Sequence, residues 1–325
     1  MNAKKICSIL FACAALAVFD AGAQSAGQDI KQGAKDVGHG VATGARAVGH
    51  GTRNVATKVG HGAKEAGTGI GHGAKKAGVA DNLFYPDYTK MLDETKPNIV
   101  WAFVDNSRHL EIAKACAARH INIIFEKPLA ANYQQAKEIQ ALAKKSGIRV
   151  MTNYQMAWWP ANYAAKAVVD SGAIGKTWRL HGIVGHGGPG SEGPRNKYFF
   201  EWLTDPNKNG AGALMDFGCY NALWSLWYLG KPQTVYARVD HLRPDRFPKV
   251  EDNANLVLNY PHGVGIFEGS WDLPRSYQDL EVFGWADNGG SGSVYMKNGS
   301  VVVRKGRDEK KVDLTPLPEG ANEPI

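Results

Sequence analysis

No aromatic residue occurs between Phe19 and Phe84, so the first quarter of this 325-residue chain has nothing large to bury. A repeat fills the gap instead. His39, His50, His61 and His72 are each eleven residues apart, each in a Gly-His-Gly step preceded by Val37, Val48, Val59 or Ile70. Eleven residues make about three helical turns, so on a helix the histidines would share one face at intervals of ~16 Å. That interval is too long for one metal ion to be shared, and no organised metal site is expected. Fourteen glycines lie in residues 24–78, and each costs a helix about 1 kcal/mol against alanine. The segment reads as a basic low-complexity tail, either a solvated linker or a weakly amphipathic helix on an anionic surface.

Charge follows the same division. Residues 24–78 hold eight basic and three acidic residues, a net of +5 out of the chain's formal +7. From Val79 onward 28 basic and 27 acidic residues nearly cancel. The basic pI therefore belongs to the tail, and nothing in the remainder calls for a nucleic-acid partner. Ahead of the repeat, Lys4 and Lys5 precede an apolar run from Ile6 to Val18, and Ala21-Gly22-Ala23 offers a small-residue cleavage site. This is the pattern of an export leader over residues 1–23, too short to span a bilayer. The expectation is an exported chain, periplasmic or secreted, with no integral membrane segment after cleavage. Cys116 and Cys219 then remain, far apart and without C-x-x-C spacing, so neither zinc nor a disulfide framework is indicated.

From Asp81 the chain reads as alternating strands and helices. Tyr88–Glu94 is a short helix, and Ile99–Phe103 is a buried-strand run. Asn106 or Ser107 can cap a helix reaching about Arg119. Asn122–Phe125 is a second strand running into Glu126-Lys127-Pro128; a helix follows over Tyr133–Ser146, and then a strand over Arg149–Asn153. Helices of 12–14 residues between strands indicate a parallel sheet with crossovers. Past Trp158 the rhythm changes. A helix over Ala161–Ser171 leads to a strand over Thr177–Val184, and a glycine-rich loop leads to a helix over Ala213–Leu229. Six further runs, from Thr234 to Lys305, have hairpin spacing, with turns at Gly263 and Asn298-Gly299. They indicate an open antiparallel sheet.

Glu126-Lys127-Pro128 at a strand end, with Asn106-x-x-His109 one unit earlier, resembles the glucose-fructose oxidoreductase/inositol dehydrogenase (Gfo/Idh/MocA) family. Gly210-Ala211-Gly212-Ala213-Leu214-Met215-Asp216-Phe217-Gly218-Cys219-Tyr220 resembles that family's second signature, and Asn153-Tyr154-Gln155 sits where its domain crossover lies. The resemblance covers about Asp81 to Ile325. It implies an α/β fold: a partial Rossmann-like parallel sheet over residues 81–153, then an α+β domain over 154–325. The large open antiparallel sheet of that second domain would serve homo-oligomerisation. Residues 24–80 stand ahead of both as a disordered or weakly helical repeat. The implied activity is hydride exchange between NAD or NADP and a sugar or polyol. The alternative is a non-catalytic sugar-binding or oligomerising remnant behind a secreted repeat.

Oxidising an alcohol needs a base for the hydroxyl proton while the hydride leaves. A lysine serves if burial lowers its pKa toward neutrality. Lys127, at the C-terminal end of a strand, is the best candidate; the plainer reading is a lysine paired with Glu126. Asp216 and Tyr220, four residues apart on one helix, share a face. The resemblance gives Tyr220 a catalytic role and Asp216 that of orienting substrate hydroxyls, while a tyrosine bonded inside the core is the plainer reading. Asn106, His109, Glu126 and Lys127 would lie beside the cofactor. Trp158, Trp159 and Trp202 offer faces for a sugar, with core packing the better reading for at least two.

The dinucleotide fingerprint is the missing part. A first strand ending in G-x-G-x-x-G at a helix start is needed, and none precedes Asp81 except Gly69–Ala74, which only more repeat precedes. Gly185–Gly190 and Gly188–Gly193 match the string within one loop containing Pro189 and Pro194, with no helix expected after it. Members of the family also continue past the point matching Glu323-Pro324-Ile325. Without the first strands, an edge and flank of the parallel sheet should lie bare.

Overall fold

The computed structural model of the chain describes residues 6–9, 83–190, 194–285 and 290–314; the histidine repeat lies outside the described residues. Four parallel strands form the first sheet: β1 (Ile6–Ile9), β2 (Ile99–Ala102), β3 (Asn122–Glu126) and β4 (Val150–Asn153), in that spatial order. Three helices accompany them: α1 (Tyr88–Thr95), α2 (His109–Ala117) and α3 (Tyr133–Ser146). The helix ends follow from local chemistry. Asp87 accepts from the backbone N–H groups of Thr89 and Lys90 at the start of α1, and Asn132 accepts from Gln135 at the start of α3. Gly147, at φ +70°, ends α3 in the left-handed conformation. Val100, Ala102, Ile123 and Phe125 meet Ile112, Ala113, Cys116 and Ile139 in one buried cluster. Alternation along β2 and β3 puts these residues on one face.

Ile6–Ile9 runs parallel to Ile99–Ala102, with Ile6 opposite Ile99. The flank of β2 expected to be bare therefore carries a strand, taken from the apolar run that reads in the sequence as leader.

The second sheet has eight strands: β5 (Lys176–Gly185), β6 (Thr234–Asp240), β7 (Asn253–Tyr260), β8 (Gly263–Ser270), β9 (Tyr277–Trp285), β10 (Ser291–Lys297), β11 (Ser300–Lys305) and β12 (Asp308–Val312). Their order is β12-β11-β10-β9-β5-β8-β7-β6. Hairpin spacing gave the pairs β6–β7, β7–β8, β9–β10 and β10–β11 correctly. It missed β12, and it missed that β5 lies between β8 and β9, parallel to β8. Spacing reports only on strands joined by a turn, and β5 is separated from both neighbours by helices. Helix α4 (Pro160–Asp170) precedes β5, and the helices that follow it are α5 (Pro194–Leu203), α6 (Pro206–Asn209) and α7 (Ala213–Tyr228). Phe217, Tyr220 and Trp224 of α7 join Leu180, Leu256, Phe267, Leu280 and Val282 of the sheet in the main core.

Helix α5 is a correction to the sequence reading. A helix does follow the glycine-rich stretch after β5, beginning at Pro194, a residue suited to a first helical turn. The loop still does not serve as a phosphate cradle in its described part. The Gly188 N–H is spent on His186 Nδ1, and the His186 N–H on the Ser270 carbonyl.

Two glycines allow close backbone approaches at the start of α7. Gly210 has φ +101°, and a Cβ there would stand 2.0 Å from the Ala131 carbonyl oxygen; one at Gly212 would stand 1.8 Å from that of Glu251. The bareness of Gly212 seats the start of α7 against the segment before β7, and that of Gly210 lets it sit against the loop that follows Pro128. Phe125, fully buried and stacked 4.4 Å from His109, anchors the strand that feeds this loop. Phe125→Ala should cost about 3–5 kcal/mol of folding stability, read as a lower urea midpoint with unchanged slope.

Candidate active site

Strand β3 ends in Glu126-Lys127-Pro128, with a cis bond before Pro128, and Lys127 turns toward α7. Its ammonium makes an ion pair with Asp216 Oδ1 and donates to the Asp216 carbonyl at 2.9 Å. The second carboxylate oxygen, Oδ2, accepts from the indole Nε1 of fully buried Trp271 at 2.9 Å. Asp216 thus has one oxygen on the lysine and one on the core. It positions Lys127, where the sequence suggested that it orients substrate. Lys127 is not paired with Glu126, whose carboxylate accepts from Asn153 Nδ2 at 3.0 Å.

The ring of Tyr220 lies under Lys127, with Nζ 5.1 Å from its centroid, and Tyr154 meets Tyr220 edge-on at 5.8 Å. Phe217 is the other wall, 5.8 Å from the ammonium. Lys127 is therefore a cation held between a carboxylate and two aromatic faces. Burial pulls its pKa down, but the Asp216 carboxylate outweighs burial and holds it above the ordinary lysine value. The expected depression toward neutrality does not occur in this arrangement. A carboxylate in contact stabilises the charged form more than partial desolvation penalises it. The folded pKa is raised, so the stability this pair contributes is complete below the ordinary value of 10.5 and is lost as pH rises through the folded one. Burial pushes the Tyr220 hydroxyl up as well, and pushes Tyr154 and the Cys219 thiol each to about 12. These three stay protonated at neutral pH.

His186 and Trp271 had no signal in the sequence beyond their types. His186 follows β5 and stands edge-on to Phe217 at 5.0 Å. Its Nδ1 accepts from the Gly188 N–H at 2.9 Å, which leaves Nε2 as the donor of the neutral ring. Burial lowers its pKa, with Asp216 opposing and Lys127 adding to the effect. A neutral imidazole and an ammonium thus flank Phe217.

The residues expected beside a cofactor are placed more deeply. Asn106 is buried, and its Nδ2 donates to Asn209 Oδ1 at 2.7 Å and to the Asn209 carbonyl at 3.1 Å. It ties the end of β2 to α6. His109 is fully buried, stacked on Phe125, with Nδ1 3.0 Å from the Leu129 carbonyl. Both hold the loops around Lys127. Of the three tryptophans, Trp159 and Trp202 pack against the main core. Trp158 is 40% exposed, and its Nε1 donates to Asn153 Oδ1 at 3.2 Å. Among the described residues no cluster of three histidine, cysteine or carboxylate groups is placed to hold a metal, and no helix is long and apolar enough to cross a membrane.

Comparison with known proteins places this geometry. Residues 44–154 match the model of an oxidoreductase family with an NAD-binding Rossmann fold, and residues 163–288 match the GFO/IDH/MocA C-terminal domain. The first match starts inside the repeat, ahead of Asp81. Levoglucosan dehydrogenase of Pseudarthrobacter phenanthrenivorans is 26% identical over 218 residues, 64% of this chain and 51% of that protein. The D-xylose 1-dehydrogenase (NADP+) 2 of Haloferax volcanii is 26% identical over 61% of this chain and 59% of its own length. The chain thus spans about half the length of the curated relatives it matches. In fold it is similar to an inositol dehydrogenase homolog from Azotobacter vinelandii, solved with NAD+ (TM-score 0.66, 19% identity, 79% of this chain and 69% of that one). It is also similar to the aldose-aldose oxidoreductase of Caulobacter crescentus, solved with glycerol (TM-score 0.64, 20% identity, 77% and 73%).

Trp271→Phe keeps an aromatic ring at the position, with some loss of volume, and removes the donor to Asp216. It should cost about 1–3 kcal/mol, measured by urea unfolding, and Asp216→Asn in the same background should add less than it does alone.

Proposed function

Since the chain belongs to the Gfo/Idh/MocA oxidoreductase family, we propose that Lys127, Asp216 and Tyr220 move the proton in the interconversion of a sugar or polyol hydroxyl and its carbonyl. The observation that carries this reading is the Lys127–Asp216 pair, closed on one side by Trp271 and bordered on the other by Tyr220 and His186.

Reducing a carbonyl adds a hydride to carbon and a proton to oxygen. Lys127 is held as the ammonium, so its Nζ is the proton donor to the developing alkoxide; Asp216 keeps it aimed, and the amine left behind takes its next proton from solvent, an uptake the carboxylate favours. In the reverse direction the amine must first lose that proton, which Asp216 opposes. The chain is therefore arranged for reduction at neutral pH and for oxidation only at high pH. Tyr220, kept neutral by burial, lines the lysine, and the neutral His186 supplies an N–H donor for a second hydroxyl.

The family is NAD-binding by description, and the fit of this chain to a dinucleotide is uneven. The C-terminal ends of β2 and β3 carry Asn106 and Lys127, on the edge where α/β ligands collect. The phosphate end is different. Leu10–Phe19, which follow β1 in the sequence, contain no glycine, the residue type that lets a backbone approach a pyrophosphate closely. Among the described residues no strand lies beyond β1 to complete the crevice. The described residues hold the reacting end and not the phosphate end. A second reading draws on that gap: a polyol-binding protein without turnover.

Three measurements test these readings. In a fluorescence titration NADH should bind with Kd above about 1 mM; micromolar binding abolished by Lys127→Ala would mean that a cradle forms after all. At millimolar NAD(P)+ with levoglucosan, D-xylose or inositol, turnover should fall about 10²–10⁴-fold in Lys127→Ala. Binding of a polyol without turnover would select the second reading. Asp216→Asn leaves burial unopposed and so lowers the Lys127 pKa, and the rising limb of the oxidation rate against pH should move down by about one unit or more.

A further inference from the structure

We propose that Arg243 is a positioning residue: it fixes Trp271, and through Trp271 it sets where Asp216 holds Lys127. Trp271 follows β8 and has three polar groups, each of them held. Its indole Nε1 donates to Asp216 Oδ2 at 2.9 Å. Its backbone N–H donates to the Asp252 carbonyl at 2.8 Å, and its own carbonyl accepts from Arg243 Nη2. Asp252 and Arg243 both belong to residues 241–252, the connection between β6 and β7. The backbone of Trp271 is thus set from that connection, while its indole N–H is spent on the carboxylate of the site.

Arg243 is itself anchored at root and tip. The buried Asp252 carboxylate accepts from the N–H groups of Leu242 at 2.7 Å and Arg243 at 2.6 Å. The guanidinium pairs with Asp272, reaches the Gly187 carbonyl at 3.5 Å and lies 5.2 Å from the centroid of the Phe247 ring. Phe247 is fully buried, 5.0 Å from the Trp271 ring. Gly188, at φ +80°, passes against both: a Cβ there would stand 3.0 Å from Phe247 and 3.1 Å from Trp271 Cβ. One side chain therefore ties together the segment after β8, the loop that carries His186, and its own connection. Asp272 offsets its charge, so what it transmits to Asp216 is position. A lysine would keep the charge, but its ammonium is a single point and cannot span the three acceptors that the planar fork reaches. The consequence for turnover rests on the proton transfer proposed above; the placement of Trp271 does not.

The test follows the Trp271 indole N–H by NMR on the full chain, its signal assigned from its absence in Trp271→Phe. In Arg243→Lys this N–H should exchange with solvent about tenfold faster or more, with the other indoles and the far-UV circular dichroism unchanged. Asp272→Asn, which weakens the anchor of the guanidinium, should raise the same exchange by less. Lys249→Ala, which removes an exposed charge from the same connection, should leave it as in the wild type. In turnover, Arg243→Lys should lower kcat about 10–100-fold with KM within about twofold, and should cost less than about threefold once Trp271→Phe is present. Wild-type exchange of the Trp271 indole in both Arg243→Lys and Asp272→Asn overturns the proposal. So does a rise shared by every indole, which would be general loosening, or a turnover loss just as large in the Trp271→Phe background. A wild type without turnover removes the proton-transfer reading and leaves the indole exchange to decide whether Arg243 places Trp271.

Discussion

Lys127 and Asp216 are 89 residues apart, one at the end of a parallel strand and the other in the first turn of the helix that backs the second sheet. Their ion pair carries the electrostatics of the junction. The charges are partly shielded from water, with side-chain exposures of 21% and 8%, so losing either partner would leave a charge without compensation. Everything that fixes their approach is backbone-tight: the bare Cα of Gly210 against Ala131, that of Gly212 against Glu251, and the Asn106 amide on Asn209. The Glu251 carboxylate also accepts from the N–H groups of Gly212 and Leu214, holding the start of α7 by charge where α7 has no capping side chain. The site exists because these close contacts bring two separately built cores together.

The same junction explains what could be read from residues alone. Strands and helices of the parallel unit appear in the sequence because each buries one periodic face, and β2, β3, α2 and α3 fall close to where their apolar residues put them. Glu126-Lys127-Pro128 and the Gly210–Tyr220 stretch mark the site through their resemblance to the motifs of the Gfo/Idh/MocA family. What was not legible depends on partners distant in sequence. Trp271 looks like any core tryptophan until its N–H is found on Asp216. His186 looks like a loop residue until Gly188 fixes its tautomer. The protonation of Lys127 could not be argued from burial, since the deciding charge lies across the junction. The position of β5 between β8 and β9 is likewise set by packing of α7, not by any turn.

The parallel sheet separates two requirements of a dinucleotide-dependent site. Proton handling needs only a few side chains at one strand end, and those are present. A dinucleotide needs a long cradle, which the backbone after the first strand must supply through glycines. Here that position is followed by Leu10-Phe11-Ala12-Cys13. Ile6–Ile9 gives β2 a hydrogen-bonded neighbour, so that edge of β2 is satisfied in its backbone. Pairing the edge of β2 and cradling a phosphate are separable requirements, and the described residues meet the first.

In the proposed reaction, direction is set by one contact. With Asp216 in place, proton uptake by Lys127 is favoured and proton loss works against the carboxylate, so the resting state is the ammonium that the reductive direction starts from. A substrate oxygen entering between Tyr220 and His186 has to compete with Asp216 for the same ammonium. It gains most when it carries negative charge, which happens as the hydride arrives and not before. On the proposed reading the pair would bind a neutral carbonyl modestly and its alkoxide strongly, and that difference is what a catalytic contact must provide.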